Sequence, residues 1–258
     1  MIFKCQNLYK IYKTNNGSVP ALDDVNFSVK EHEFVCIVGP SGCGKTTLLK
    51  IIAGLVGPTS GRVEFNPEEN DKHMRSALVF QDHGLFPWMD VLSNVTFGLE
   101  MMGISRKERR DRAMEFIEKI DLSSFAERYP HELSIGMRQR VGIARAFVTG
   151  PKILLMDEPF GSLDAQTKLI LQEELLRIWR EQQKLVIHVT HDIDEAVLLS
   201  DRILVMTGRP GSIKEEINIP LKRPRDLSNR NRPDVLEIKE HIWRLLKDEV
   251  RKNLSINQ

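Results

Sequence analysis

Phe34-Val35-Cys36-Ile37-Val38-Gly39-Pro40-Ser41-Gly42-Cys43-Gly44-Lys45-Thr46-Thr47-Leu48-Leu49 is the stretch on which the fold turns. Its first five residues are apolar without interruption, the pattern of a strand buried on both faces. Residues 39–46 then match G-x-x-x-x-G-K-[ST] at every fixed position, and Leu48, Leu49, Ile51 and Ile52 continue at helical spacing. Strand, glycine-rich turn and helix is the context that the motif requires. Glycines let backbone N–H groups turn inward around phosphate oxygens, and the helix N-terminus adds positive potential. Lys45 brings a full charge for terminal phosphates, and the Thr46 hydroxyl is a hard oxygen ligand suited to Mg²⁺. The predicted phosphate-contact set is Gly39, Pro40, Ser41, Gly42, Cys43, Gly44, Lys45, Thr46 and Thr47. Cys43 stands at a variable position, so it is read as a bystander rather than a nucleophile.

Working outward, Ile153-Leu154-Leu155-Met156, Leu185-Val186-Ile187 and Ile203-Leu204-Val205-Met206 are further short runs apolar on both faces. They read as parallel strands covered by helices. Val25, Phe27 and Val29 alternate with polar residues, as do Val63 and Phe65, which predicts an antiparallel layer near the N-terminus. From about residue 82 to 147 charged helix formers dominate, for example Arg106 to Ile120, and no strand-like run occurs. This predicts an inserted helical subdomain. The reading is therefore an α/β nucleotide-binding domain over 1–230, followed at 231–258 by an amphipathic helix marked by Ile238, Ile242, Leu245 and Leu246, and a tail.

Composition narrows the partners. The chain has 258 residues, 41% apolar and 28% charged, with a formal charge of +1. Near-neutral charge argues against a nucleic-acid partner. Cys5, Cys36 and Cys43 show no metal-binding spacing and fit a reducing compartment. No apolar stretch approaches the ~20 residues that a membrane-crossing helix needs. Asn94-Val95-Thr96 matches a glycosylation acceptor, a pattern short enough to arise by chance.

The run Ile153 to Met156 ends in Asp157 and Glu158. Ligands bind at strand C-termini in open α/β sheets. Asp157 is placed to hold Mg²⁺, and Glu158 to orient or deprotonate an attacking water. Water as acceptor argues against a small-molecule kinase, and no N-K-x-D-like guanine reader is present for a GTPase.

With these residues in view, the chain resembles the nucleotide-binding subunit of an ATP-binding-cassette (ABC) transporter over about its first 210 residues. The resemblance adds Gln81 after Ala77-Leu78-Val79-Phe80, then Leu133-Ser134-Ile135-Gly136-Met137, Ser162-Leu163-Asp164 and His191, in the family's order. It implies a P-loop NTPase fold, ATP and Mg²⁺ as cofactors, and catalysis by Glu158 with His191 and Gln81. Thr46, Gln81 and Asp157 would hold the metal. Tyr12 would stack on adenine, with Tyr9 as the competing choice.

Ser134 and Gly136 precede a second predicted helix, Arg138 to Phe147, although residues 39–47 already wrap one set of phosphates. The resemblance resolves this by pairing two subunits, identical or paralogous, head to tail. Ser134 and Gly136 of one would cover the ATP of the other, and Asp164 would reach across. The signature departs from the common pattern at Ile135 and Met137; if position 135 required φ > 0, a β-branched residue there would be strained. His83-Gly84-Leu85-Phe86-Pro87-Trp88-Met89-Asp90-Val91, Tyr129-Pro130-His131-Glu132-Leu133, Leu171-Gln172-Glu173-Glu174-Leu175 and Arg223-Pro224-Arg225-Asp226 resemble importers of nitrate, sulfonates and taurine. That implies integral membrane permease subunits as partners, a solute-binding protein indirectly, and a place on the cytoplasmic face of the membrane. Phe86, Pro87 and Trp88 would anchor a docked permease helix, unless Trp88 is simply core. The competing expectation is a non-transport ABC ATPase of the DNA-repair or translation type.

Overall fold

The computed structural model describes residues 2–15, 17–66, 76–80, 84–225 and 232–256, with side chains of the last helix described as far as Arg251. Gln81, Asp82, His83 and Asp226 lie outside the described residues. The chain divides into two compact units, Met1–Lys72 with Leu185–Gln258, and His73–Lys184.

In the first unit, β1 (Phe3–Thr14) runs antiparallel to both β2 (Gly17–Val29) and β4 (Ser60–Phe65), with β1 central. Val25, Phe27 and Val29 are buried and Asn26 and Ser28 exposed, as the alternation predicts. Phe3 sits in the middle, its ring 6.1 Å from Phe27 edge-on and 5.4 Å from Phe65. One side chain thus ties three strands together.

The unit's other sheet has β3 (Phe34–Val38) hydrogen-bonded in parallel to β7 (Leu185–Thr190) and β8 (Arg202–Met206), with β9 (Ile213–Asn218) antiparallel on β8. Every residue of β3 and β7 is buried. Helices α1 (Lys45–Ile52), α6 (Ile193–Leu199) and α7 (Pro233–Ile256) belong to this unit. Leu48, Leu49, Ile51 and Ile52 of α1 are buried, each worth roughly 1.5–3 kcal/mol of apolar burial.

The second unit pairs β5 (Ser76–Val79) in parallel with β6 (Ile153–Asp157) and carries, among the described residues, the α-helices α2 (Val91–Met101), α3 (Arg106–Lys119), α4 (Ile135–Val148) and α5 (Ala165–Gln182). Leu99, Ile117, Ile120 and Phe147 are fully buried within it. Each helix starts on a residue that caps its free N–H groups: Asp90, Ser105, Ser134 and Asp164. Among the described residues, no helix of the chain is long and apolar enough to cross a membrane.

Candidate functional site: a phosphate loop, two helix starts and an aromatic groove

The loop 39–44 links β3 to α1 and is wedged against the chain behind it. Gly44 caps α1 at φ 105°, a backbone conformation that favours glycine. A Cβ there would lie 2.6 Å from the Ala21 carbonyl oxygen and 2.8 Å from Leu22. The same Ala21 carbonyl accepts a hydrogen bond from the Gly211 N–H at 3.0 Å. A Cβ on Gly211 would come 2.0 Å from the Cys43 carbonyl oxygen. The loop therefore rests on two backbones that approach it without any side chain between. Sequence reasoning missed Gly211; Pro210-Gly211 signals a turn, but not that the turn abuts Cys43, far away in sequence.

Cys43 is buried and Ser41, Gly42 and Thr46 are exposed, so the loop presents its polar groups outward and its thiol inward. Lys45 is 5% exposed and donates to the carbonyls of Gly39 at 2.9 Å and Pro40 at 3.1 Å. An ammonium held over the loop by its own carbonyls is positioned for an anion seated there. The Tyr12 hydroxyl lies 3.5 Å from Thr47 Oγ1, whereas Tyr9 faces Asp24. Of the two tyrosines, Tyr12 is the one beside α1.

Val38 of β3 stands opposite Thr190 of β7 in parallel register, so the chain leaves both strands at one edge, into Gly39 and into the turn of His191. His191 is exposed. Its turn is held by Thr190 Oγ1, which accepts from the Asp192 N–H at 3.0 Å, and by Asp192, whose carboxylate caps α6. Beneath it, buried His188 is hydrogen-bonded to buried Glu195. The two histidines thus stand in different surroundings, His188 in the core and His191 at the surface.

In the second unit, Asp157 is the last residue of β6 and is 8% exposed. Glu158 follows at φ 46° and its carbonyl accepts from the Gly161 N–H at 3.1 Å. A non-glycine residue there costs of order 1–3 kcal/mol, a strain concentrated at functional sites. Val79 of β5 stands opposite Met156, so Phe80 and Asp157 emerge side by side.

The starts of α4 and α5 are neighbours. Ser134 Oγ accepts from the Met137 N–H at 3.2 Å, and a Cβ on Gly136 would lie 2.8 Å from the Thr167 methyl. Asp164 accepts from the N–H groups of Gln166 at 3.1 Å and Thr167 at 3.0 Å. Hydrogen bonds from Thr167, its hydroxyl first, hold the Asp164 carboxyl below the ordinary range. Ile135 is the first helical residue of α4, 45% exposed and without positive φ. The strain envisaged at that position is absent, because α4 begins there instead of turning. Two exposed helix N-termini side by side, each with N–H groups and positive potential, form an anion-attracting edge.

A groove of about 430 Å³ opens elsewhere on this unit, lined by Trp88, Thr96, Glu100, Arg106, Arg110 and Tyr129 among others. Trp88 is 70% exposed, which excludes a core role. Phe86 packs between Trp88 at 5.5 Å and Phe97 at 4.6 Å. Asn94 is fully buried; it accepts from the Phe86 N–H and donates to the carbonyls of Phe86, Met89 and Asp90. The acceptor-like triplet at Asn94 is therefore an internal brace for the loop carrying Trp88, not a surface modification site.

Comparison with known proteins accords with this geometry. The family model described as ABC transporter matches residues 22–161. A Methanocaldococcus jannaschii protein named as an uncharacterized ABC transporter ATP-binding protein is 52% identical over 98% of this chain and 94% of its own length. The nitrate import ATP-binding protein of Synechocystis is 42% identical over 96% of each chain. The aliphatic sulfonates import ATP-binding protein of Bacillus thuringiensis is 41% identical over 93% of this chain and 97% of its own. Among solved structures, a dimeric ATP-binding cassette in a post-hydrolysis state bound to ADP and phosphate superposes with a TM-score of 0.75. It is 35% identical, over 86% of this chain and all of that one. The chain belongs to the ABC transporter family of ATP-binding proteins. Within that family it is an ATP-binding subunit and an ATP hydrolase.

Proposed function

We propose that this chain is the motor subunit of an importer for a small anion such as nitrate, a sulfonate or taurine, working at the cytoplasmic face of the membrane. The cargo class rests on the nitrate and sulfonate import relatives. They also weigh against a DNA-repair or translation ATPase.

In this reading Lys45 and the N–H groups of 39–47 bind the phosphates, and Tyr12 stacks on adenine. The loop fits such a guest: its glycines stand where side chains would fill the cradle or collide with the chain behind it. Thr46 and Asp157, with Gln81, would hold Mg²⁺. Hydroxyl, amide and carboxylate are all hard oxygen donors, and Mg²⁺ bound mainly through phosphates and water needs only one or two carboxylates. The metal would neutralise charge on the β- and γ-phosphates. Glu158 accepts a proton or hydrogen bond from the attacking water, and His191 donates to a γ-phosphate oxygen.

The observation that carries the proposal is the second anion-attracting edge at Ser134, Gly136 and Asp164, formed within one compact unit of a chain whose phosphate loop belongs to the other. A head-to-tail pair, the arrangement that puts this edge over the nucleotide of a second subunit, uses both. A dimeric cassette among the structural neighbours supports it. Each charge-assisted hydrogen bond to the γ-phosphate contributes about 1.5–3 kcal/mol, so losing a few on hydrolysis opens the pair. The groove at Trp88 would accept an apolar-anchored helix of a permease subunit, with Arg106 and Arg110 at its rim. A solute-binding protein would deliver cargo to that permease.

Glu158→Gln tests the central claim. It should abolish ATP turnover, retain ATP binding, and sediment as a dimer with ATP and Mg²⁺. A variant that stays monomeric with ATP bound would sink the sandwich.

A further inference from the structure

Helix α7 is fixed on its own unit by its buried side. Val235, Ile242 and Leu246 are buried there, and Glu249 accepts from the Gly208 N–H at 3.0 Å and from Lys214 at 2.7 Å. Lys239 pairs with Asp194, and His241 with Glu215. These contacts set the helix's rotation, and with it the residues that face away.

Three large apolar side chains on that outer side recur every seven residues: Leu236, 50% exposed, Trp243, 56%, and Val250, 42%. At about 100° per residue they fall within roughly 40° of one another, in a line about 21 Å long. Glu240 and Lys247 are exposed and flank the same side of this line. A repeat of seven keeps the three side chains on one narrow face of the helix, half of the apolar pattern of a paired-helix seam.

We propose that this stripe docks on the same stripe of a second copy of the chain, antiparallel, across a two-fold axis passing by Trp243. That register brings Leu236 opposite Val250 of the second copy and Trp243 opposite itself. Glu240 then lies beside Lys247 of the second copy, and Lys247 beside its Glu240. Both flanking contacts are attractive, and two-fold symmetry makes each occur twice. In a parallel pairing the Glu240 and Lys247 flanks of the two copies fall on opposite sides of the seam, where neither meets the other, so only the antiparallel pairing gains these contacts. An anionic lipid surface fits less well: the exposed side carries Glu237, Glu240 and Asp248 as well as Arg244, Lys247 and Arg251. With the signs balanced, nothing draws it to negative headgroups.

A single helix pair buries well under the ~800 Å² per partner of a standard interface. The contact is therefore weak, with dissociation expected in the range of about 10 μM to 1 mM, and it does not depend on nucleotide.

Sedimentation of the full chain across that concentration range, without nucleotide, is the test. The parent should show concentration-dependent dimer and Trp243→Glu should be monomeric throughout. Glu240→Lys and Lys247→Glu should each weaken the dimer about tenfold, since either change turns both symmetry-related pairs repulsive. The double variant Glu240→Lys with Lys247→Glu should restore it, because the pairs are re-formed with signs exchanged. Failure of the double variant to recover overturns the proposal, as does dimerisation indifferent to Trp243→Glu. Loss, in Trp243→Glu, of co-sedimentation with phosphatidylglycerol vesicles while the dimer is unchanged would assign the stripe to the membrane instead. Because ATP is absent, the outcome is separable from that of Glu158→Gln with ATP.

Discussion

Gly44→Ala is the substitution whose consequence the structure specifies most fully. At φ 105° an L-residue costs about 1–2 kcal/mol, and the new Cβ would meet the Ala21 carbonyl oxygen at 2.6 Å and Leu22 Cδ2 at 2.8 Å. Leu22 can give way; the Ala21 carbonyl is less free, since the Gly211 N–H is bonded to it. Overpacking of this kind adds about 1–3 kcal/mol, for a total of roughly 2–5 kcal/mol. For a chain of this size that lowers the melting temperature by roughly 4–20 °C at ~2–4 °C per kcal/mol. Gly42→Ala is the control, since its φ is also positive, 77°, but nothing lies within 4 Å of a Cβ there. It should cost the backbone share alone, about 2–8 °C. Calorimetry on both variants, with and without saturating ATP, separates the contributions. The parent should gain about 2.7 kcal/mol at ATP a hundredfold above its dissociation constant; Gly44→Ala should lose most of that gain because its loop N–H groups are displaced. If Gly44→Ala melts with Gly42→Ala and keeps its ATP shift, the wedge of Ala21 behind the loop does not set the loop's shape.

Two further outcomes are expected. Trp88→Ala should leave ATP binding and basal turnover intact while weakening co-purification with a membrane subunit at least tenfold; unchanged capture would remove the groove from the docking account. Asp164 has its carboxyl held below the ordinary value by Thr167. Its contribution to stability is therefore complete above the unfolded value near pH ~4 and is lost as pH falls through the lower folded value. Asp164→Asn should remove that part of the acid-side slope, so an acid-melting curve as steep as the parent's would show that the cap is not the source.

Much of the fold was legible because β3, β6 and β7 are buried along their whole length and apolar almost without gaps. A residue buried on both faces leaves no ambiguity of period, and Val35 to Val38 or Ile153 to Met156 read as covered strands before any contact is known. The phosphate loop was legible for a related reason, since glycines, a lysine and a threonine at fixed spacing have few other uses in that context. Ile135 was not legible, because whether its position needs a left-handed backbone depends on where α4 begins. Nor was Trp88, since Phe86, Pro87 and Trp88 form an apolar run that is as consistent with core as with surface.

Sequence by itself thus determined the class of chemistry: a phosphate cradle, a carboxylate pair at a strand end and a second helix start, all encoded by neighbours a few residues apart. Tertiary structure alone decided what stands behind and beside them. Ala21 and Gly211 brace Gly44 and Cys43, Asn94 holds the loop of Trp88, and α7 turns Leu236, Trp243 and Val250 outward. These are distant pairings of backbone and side chain with no local period to betray them. They are set by how the whole chain packs, and a string of residues read in order does not contain that distance.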